Sequence, residues 1–401
     1  DTLAMCVKVH LALNDLQSAE LDMKQAVALA PEAPATLWAE AMLHLYNYEY
    51  EEARTLLDRA IALEGDRPEF YTLRSATYRQ TADLEDARAD LETALALNPH
   101  FVDARIALAG NRVLRDDFEN MEQEFLALIS SYPNTYQAHA LLSEYHLGVT
   151  GDLEQAAVHA EKVVELLPES SWGHALSGRV YVAENEYEQA LAAFEMALEV
   201  YDESLSARSG LADYYKQLEE YDQALEMVRE IKALDPQENF SLLKEAEIYL
   251  SMGELEKAWF AVNTVLADDP ENRSALLIRA DVNMQTGNLQ EAVIDVSRIL
   301  DRYPRAADAL LKRSVIHYLQ GDLDSAMTYA ERTLDVNPNA ALAHGLLSDI
   351  ALAENDPEAA LRQANLMIEK DPEWLAGYYN QGLANVLMER YEQALASYSA
   401  G

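Results

Sequence analysis

The sequence predicts an all-α fold, a solenoid of short helix-turn-helix repeats stacked side by side. Three observations predict it. An alanine returns every 34 residues, at Ala19, Ala53 and Ala87 and then at Ala156, Ala190, Ala224, Ala258, Ala292, Ala326, Ala360 and Ala394. A proline follows about twelve residues behind the same register, at Pro31, Pro99, Pro133, Pro168, Pro236, Pro270, Pro304, Pro338 and Pro372. Between these marks, apolar residues recur at three- and four-residue steps, the spacing of one helix face. A fixed period of this length means that one supersecondary unit is copied and that each copy buries its apolar face on the next.

Residues 239–272 show how one unit is built. Leu242, Ala246, Tyr249 and Leu250 share one face and make an amphipathic helix. Met252-Gly253-Glu254 supplies the turn, because glycine enters the left-handed region at a helix C-terminus without a steric penalty. Leu255, Ala258, Val262, Val265 and Leu266 line a second helix, and Asp269-Pro270 ends it. Neither helix is long enough to be stable alone, so the hairpins must stack.

In chain order the units fall near 1–33, 34–66, 67–101, 102–135, 136–170, 171–204, 205–238, 239–272, 273–306, 307–340, 341–374 and 375–401, the last expected to lack most of its second helix. Turns are marked by Gly151-Asp152, Gly253-Glu254, Gly287-Asn288 and Gly321-Asp322, and in one unit by Asp356-Pro357, an N-cap followed by proline at the first helical position. The second unit reads as having a shortened turn around Tyr48, with Gly65 where proline is expected. Met121 and Leu128 replace small residues, and one extra residue separates Leu142 from Ala156. Residues 115–151 are therefore expected to bend the array between an N-terminal segment of four repeats, 1–135, and a C-terminal segment of eight, 136–401.

This pattern resembles the tetratricopeptide repeat (TPR), with small residues at repeat positions 8 and 20 and proline at 32. Position 8 reads Ser75, Ala109, Ser143, Gly178, Ala212, Ala246, Ala280, Ser314, Ser348 and Gly382, and position 20 is the alanine register. Small residues at both places let paired helices approach closely. The resemblance covers essentially the whole chain and implies a right-handed superhelical solenoid. It also implies a non-catalytic protein–protein interaction scaffold.

Composition narrows the function. Seventy acids against 30 bases give a formal charge of −40, and such a surface repels the phosphates that Lys and Arg must engage in nucleic-acid binding. Neither nucleic acid nor an anionic membrane surface is an expected partner. No apolar run approaches the roughly eighteen residues of a spanning helix, so membrane insertion is not expected. Cys6 is the single cysteine, so an intrachain disulfide is impossible and the compartment stays open between the cytoplasm and a bacterial periplasm. The array stops inside a helix at Gly401, which reads as a cut from a longer chain.

No catalytic group, metal site or cofactor site is expected. His139, Glu144 and His146 are the tightest histidine cluster, yet His10, His139, His146, His174, His317 and His344 all fall at position 4 or 11, where the family places packing aromatics. Cys6 falls at position 7 with no motif marking a base beside it. Glycine-rich phosphate loops, zinc-binding HExxH helices and nucleophile elbows are absent from the sequence.

The resemblance implies that first helices line a concave face. Transferring its register places Asp213, Glu247, Asp281 and Asp349 at position 9 of the groove, Leu243, Leu277 and Leu311 at position 5, and Leu250, Met284 and Tyr318 at position 12. An apolar floor beside a row of acids fits a protein or peptide partner that is basic and amphipathic. The carboxylate grip of co-chaperone members is disfavoured, since no repeat carries Lys at position 5. Truncated end repeats leave self-association open. Two alternatives stand beside the scaffold reading. One is a regulatory or substrate-recruiting arm of a larger enzyme, and the other is a periplasmic scaffold of a bacterial envelope or exopolysaccharide-export system.

Overall fold

The computed structural model describes residues 2–12, 15–81, 83–114, 121–235, 239–370, 372 and 374–400. The chain divides into two compact units, Asp1–Met121 and Glu122–Gly401. Of the stretch 115–151 that the sequence marks as a bend, residues 115–120 lie outside the described residues.

The first unit pairs α1 (Thr2–Ala12) with α2 (Leu16–Leu29), α3 (Pro34–Tyr46) with α4 (Tyr50–Leu63) and α5 (Pro68–Gln80) with α6 (Leu84–Leu97), and then adds α7 (Val102–Leu114). From α8 (Met121–Ser131) the second unit runs through α9 (Tyr136–Tyr145), α10 (Leu153–Leu166), α11 (Ser171–Ala183), α12 (Tyr187–Val200), α13 (Leu205–Gln217) and α14 (Tyr221–Leu234). It continues with α15 (Asn239–Ser251), α16 (Leu255–Asp268), α17 (Arg273–Gln285), α18 (Leu289–Arg302), α19 (Ala307–Leu319) and α20 (Leu323–Val336). It closes with α21 (Ala341–Ala353), α22 (Pro357–Lys370), α23 (Leu375–Leu387) and α24 (Tyr391–Ala400). No strand occurs among the described residues.

Helix starts follow capping chemistry. Asp15, Asp152 and Asp322 accept the backbone N–H of Ser18, Gln155 and Ser325, and Ser170, Ser204 and Asn272 do the same for Gly173, Ala207 and Ala275. In the nine turns between paired helices whose residues are all described, one position is left-handed. Gly151, Gly253, Gly287 and Gly321 fill it, and so do Tyr48, Asn185, Glu219, Asn355 and Glu389, at φ of 59–64°. Tyr48 therefore sits in a turn of ordinary length, three residues between α3 and α4, and not in a shortened one.

Two further sequence irregularities are resolved. The extra residue between Leu142 and Ala156 is taken up by a π-helical turn, His146–Thr150, which ends at left-handed Gly151. The last repeat keeps ten residues of its second helix, against 14 in α16.

The alanine register marks the closest helix contact. Ala19, Ala53, Ala87, Ala156, Ala190, Ala224, Ala258, Ala292, Ala326 and Ala360 are all 0% exposed. At three of the position-8 serines the hydroxyl reaches across the pair, while Ser75 bonds within its own helix. Ser143 donates to the Ala156 carbonyl at 2.8 Å, Ser348 to Ala360 at 3.0 Å, and Ser314 to Ala326. Where position 8 is glycine, an aromatic fills the space: a Cβ on Gly178 would lie 2.6 Å from the Phe194 ring, and one on Gly210 of the next repeat 2.1 Å from it. Arginines at position 7 clamp buried acids, Arg74 holding Asp90 at 2.7 and 2.8 Å and Arg279 holding Asp295 at 2.6 and 2.9 Å.

Within the second unit the solenoid returns on itself. Asn339 Nδ2 donates to the Thr150 carbonyl at 2.7 Å, across 189 residues. A Cβ on Gly151 would lie 3.4 Å from that of Asn339, so glycine both makes the turn and allows the approach.

Two stability outcomes follow. Glu219→Gly relieves a left-handed non-glycine residue and is expected to stabilise the chain by about 0.5–1 kcal/mol, even though glycine usually weakens helical proteins; an unchanged or lower urea midpoint counts against the turn geometry. Ala258→Leu is expected to cost roughly 1–3 kcal/mol by overpacking α15 against α16, and a midpoint within error of the parent rejects the register.

Candidate functional site

First helices of successive repeats pack on one another, α11 on α13, α13 on α15, α15 on α17, α17 on α19, α19 on α21 and α21 on α23. Second helices pack instead against the first helices on either side. The inner face of the second unit is thus built from first helices, and the residues assigned to the groove all lie on them.

Leu243, Leu250, Leu277 and Met284 are half-buried and pack on the core that Ala246, Val262, Leu276, Ala280 and Ala292 help to form. Tyr318 packs on the next core cluster, and Leu311 is likewise half-buried. The apolar floor therefore has one side committed to the fold and one side open.

The acids at position 9 are engaged within the chain. Asp213 accepts from Lys244 at 2.8 and 3.0 Å and from Lys216 at 3.0 Å. Glu247 accepts from Lys244 at 3.1 Å and lies 3.5 Å from Lys216. Asp281 pairs with Lys312, and Asp349 accepts from Asn380 Nδ2 at 2.7 Å. Three of these contacts, Asp213 to Lys244, Asp281 to Lys312 and Asp349 to Asn380, span 31 residues, from position 9 of one repeat to position 6 of the next. A ladder of cross-repeat bonds thus runs along these first helices, and among the described residues Asp349 is the acid of the row that has no cation beside it.

Burial and charge compete at each rung. Burial pushes the Asp213 carboxyl up, but Lys244 and Lys216 outweigh it and hold the group below its ordinary value. Lys244 shows the converse: burial lowers it, and Asp213 and Glu247 bring it above the ordinary value. At Asp281 burial wins and the carboxyl is raised in spite of Lys312. Asp349 is raised by burial, which Asn380 only partly offsets.

A concave pocket of about 490 Å³ opens on this face, lined by Arg179, Leu205, Ser206, Ser209, Asp213, Phe240 and Lys244. Arg179 enters it already held by Glu144 at 2.5 and 3.0 Å.

The histidines of the fifth repeat meet in the core. His139 and His146 are joined by His159, which the sequence did not single out. His139 Nδ1 lies 3.0 Å from His159 Nδ1, and the His146 and His159 rings stack at 5.9 Å. All three are buried. Burial, then the neighbouring rings of His139 and His146, push His159 down to about 4. Among the described residues no group of three or more His, Cys, Asp or Glu is arranged to hold a metal ion, and no helix is long and apolar enough to cross a membrane. Cys6 is half-buried.

Three family models, each described as tetratricopeptide repeat, match residues 68–101, 181–247, and 243–298, 295–333 and 326–373. The chain belongs to the tetratricopeptide repeat family. No curated protein matches it. Among solved structures it is similar to a chain of the APC/C hetero-tetramer Cut9–Hcn1, with TM-score 0.54 and 13% identity over 99% of this chain and 94% of that one. It is also similar to yeast Tom70, with TM-score 0.46 and 13% identity over 100% and 95% of the two chains. At that identity the first likeness concerns the fold alone.

TPR arrays are protein-interaction scaffolds and are generally non-catalytic, and at that level this chain is one. The repeat register puts these apolar residues and acids on first helices. It missed Lys244, Lys312 and Asn380, although a lysine 31 residues behind an acid, in a chain with nine lysines, was a readable signal.

The histidine cluster carries a pH dependence. His159 stays neutral in the fold down to about pH 4 and takes a proton near pH 6.5 when unfolded. The unfolded chain binds the extra proton, so this stability is complete above pH 6.5 and is lost as pH falls through about 4. A loss of roughly 2–4 kcal/mol is expected in hydrogen-exchange protection of residues 136–166. His159→Phe should remove most of the slope, and an unchanged slope rejects the assignment.

Proposed function

We propose that the inner face of the second unit is the site where this scaffold holds a segment of a protein partner. In this reading the segment lays an apolar face on Leu243, Leu250, Leu277, Met284, Leu311 and Tyr318 and places a basic side chain at Asp349. The observation that carries the reading is the half-buried floor: these side chains are anchored on the core yet keep one face open, so a ligand gains apolar burial without ordering them first.

The ladder narrows the expected ligand. Lys216, Lys244 and Lys312 already neutralise most of the row formed by Asp213, Glu247 and Asp281, so a polybasic segment would have to displace them. Attraction for a cation is concentrated at Asp349, beside Tyr318, whose hydroxyl is raised first by burial and then by that carboxylate. The preferred partner is therefore apolar over most of its contact and basic at one end.

Charge reversal at Glu247 and Asp281 is a poor test, since each new lysine would face a lysine and strain the fold. Asp349→Asn changes one charge and keeps the shape. A labelled amphipathic helical peptide with leucines on one face and a single lysine at one end is the probe, titrated by fluorescence anisotropy. Asp349→Asn is expected to weaken it about fivefold, or ~1 kcal/mol, and Leu277→Ala to weaken it further with helicity unchanged. The exposed Asp335→Asn on α20 serves as control. Equal affinity for parent, Asp349→Asn and Leu277→Ala removes the site from this face.

A further inference from the structure

The first unit has a concave pocket of its own, with a different chemistry. It encloses about 240 Å³ and is walled by Trp38, Met42, Leu73, Phe101 and Ala107, with Arg79 at its side. Arg79 lies at position 12 of its repeat, on the first helix α5, which packs on the first helices α3 and α7 and so shares their face. Among the described residues its guanidinium has no hydrogen bond, ion pair or ring contact, unlike Arg54, Arg67 and Arg74 nearby. Burial alone pushes it below its ordinary value, with no carboxylate acting on it.

A second donor in the same wall lacks an acceptor. Trp38 is 6% exposed and its indole N–H has no partner among the described residues. Leaving a buried donor unsatisfied is costly, because it gives up water and gains no acceptor. Trp38 thus offers a buried, unpartnered N–H beside a half-buried guanidinium that, among the described residues, has no carboxylate of its own.

The remaining charges cancel. Lys8 pairs with Asp103 at 3.4 Å and Glu69 with Arg67 at 2.8 Å, so Arg79 is the pocket's one surplus charge, in a chain of formal charge −40. One surplus cation among apolar walls suits one negative charge on an apolar carrier. Thr72 and Ser75 already donate their hydroxyl hydrogens to the carbonyls of Pro68 and Thr72 at 2.9 and 2.7 Å, so the pocket has no spare hydroxyl donor for an incoming main chain. A glutamate side chain reaches Arg79 while its backbone stays on the open face.

We infer that the inner face of the first unit binds a partner-protein segment in which a glutamate side chain sits beside a bulky apolar residue, the carboxylate on Arg79 and the apolar side chain among Trp38, Met42, Leu73 and Phe101. This site belongs to the first unit and prefers an acid, so it stands or falls independently of the groove around Asp349.

The test uses the full chain with 15N-labelled tryptophan, the Trp38 indole resonance being assigned by its loss in Trp38→Phe. The probes are acetyl-Ala-Phe-Glu-Leu-Ala-amide, the same peptide with glutamine for glutamate, and acetyl-Ala-Phe with a free carboxylate. The glutamate peptide is expected to shift the Trp38 resonance saturably, with the glutamine peptide at least tenfold weaker. Arg79→Met should lose binding by a similar factor while its melting temperature rises, because an unpaired desolvated charge has been removed; a purely structural arginine would lower it. Arg79→Lys should retain part of the affinity. Equal binding of the glutamate and glutamine peptides overturns the inference, as does a response to the free-carboxylate probe alone or to none of the three. The glutamate–glutamine comparison on the parent chain decides the matter even if Arg79→Met does not fold.

Discussion

The close approach of two short helices through a buried alanine, kept in every repeat but the fourth, where Met121 takes its place, is what the rest of the molecule depends on. Neither helix of a pair is stable alone. Fully buried Ala258 or Ala292 leaves room for one helix backbone to lie against its partner, and the serines at position 8 add a hydrogen bond onto the carbonyl of that same alanine in three repeats. Once pairs are fixed this tightly, the direction in which first helices point is fixed as well. The inner face is a consequence of the packing rule, and the side chains presented there are free to vary because they do not carry the pairing.

The fifth repeat keeps the alanine but departs in length. A residue is inserted, the helix responds with a π-turn, and the turn ends on Gly151, against which Asn339 packs from 189 residues away. The same repeat buries three histidines together, His139 and His146 in its aromatic slots and His159 on its second helix. An insertion that survives in a solenoid must be absorbed locally, since a shifted register would propagate to every later contact. Here the insertion is absorbed and also used, because the bulged turn supplies the carbonyl on which the later part of the unit rests. Acid weakens the histidine core directly beneath that support.

Much of the fold was legible because it is written in local patterns. The alanine register, the turn glycines and the aspartate caps act within a few residues of themselves and can be read one repeat at a time. Tyr48 was misread for the opposite reason: a bulky residue in a left-handed turn contradicts local preference, and stacking of α3 and α4 overrides it. Lys244 and Lys312 escaped notice because their partners belong to the preceding repeat, so a reading of one repeat at a time shows a lone lysine and a lone acid. Arg79 and Trp38 are illegible in principle from sequence, since what distinguishes them is that among the described residues neither has a side-chain partner in space.

Charge shows how the two inner faces differ from the whole. The chain carries −40, yet the groove positions from α13 to α19 alternate acids with Lys216, Lys244 and Lys312 in bonded pairs. The acid excess must therefore sit mostly elsewhere, on helices such as α12, whose sequence contains Glu188, Glu195 and Glu199 and no base. An acidic exterior repels other acidic chains at long range, while paired rungs on the inner face leave short-range contact to apolar fit. Discrimination between ligands then falls to the few groups left without an opposite charge. Among the described residues Asp349 is such a group in one unit and Arg79 in the other, with opposite signs.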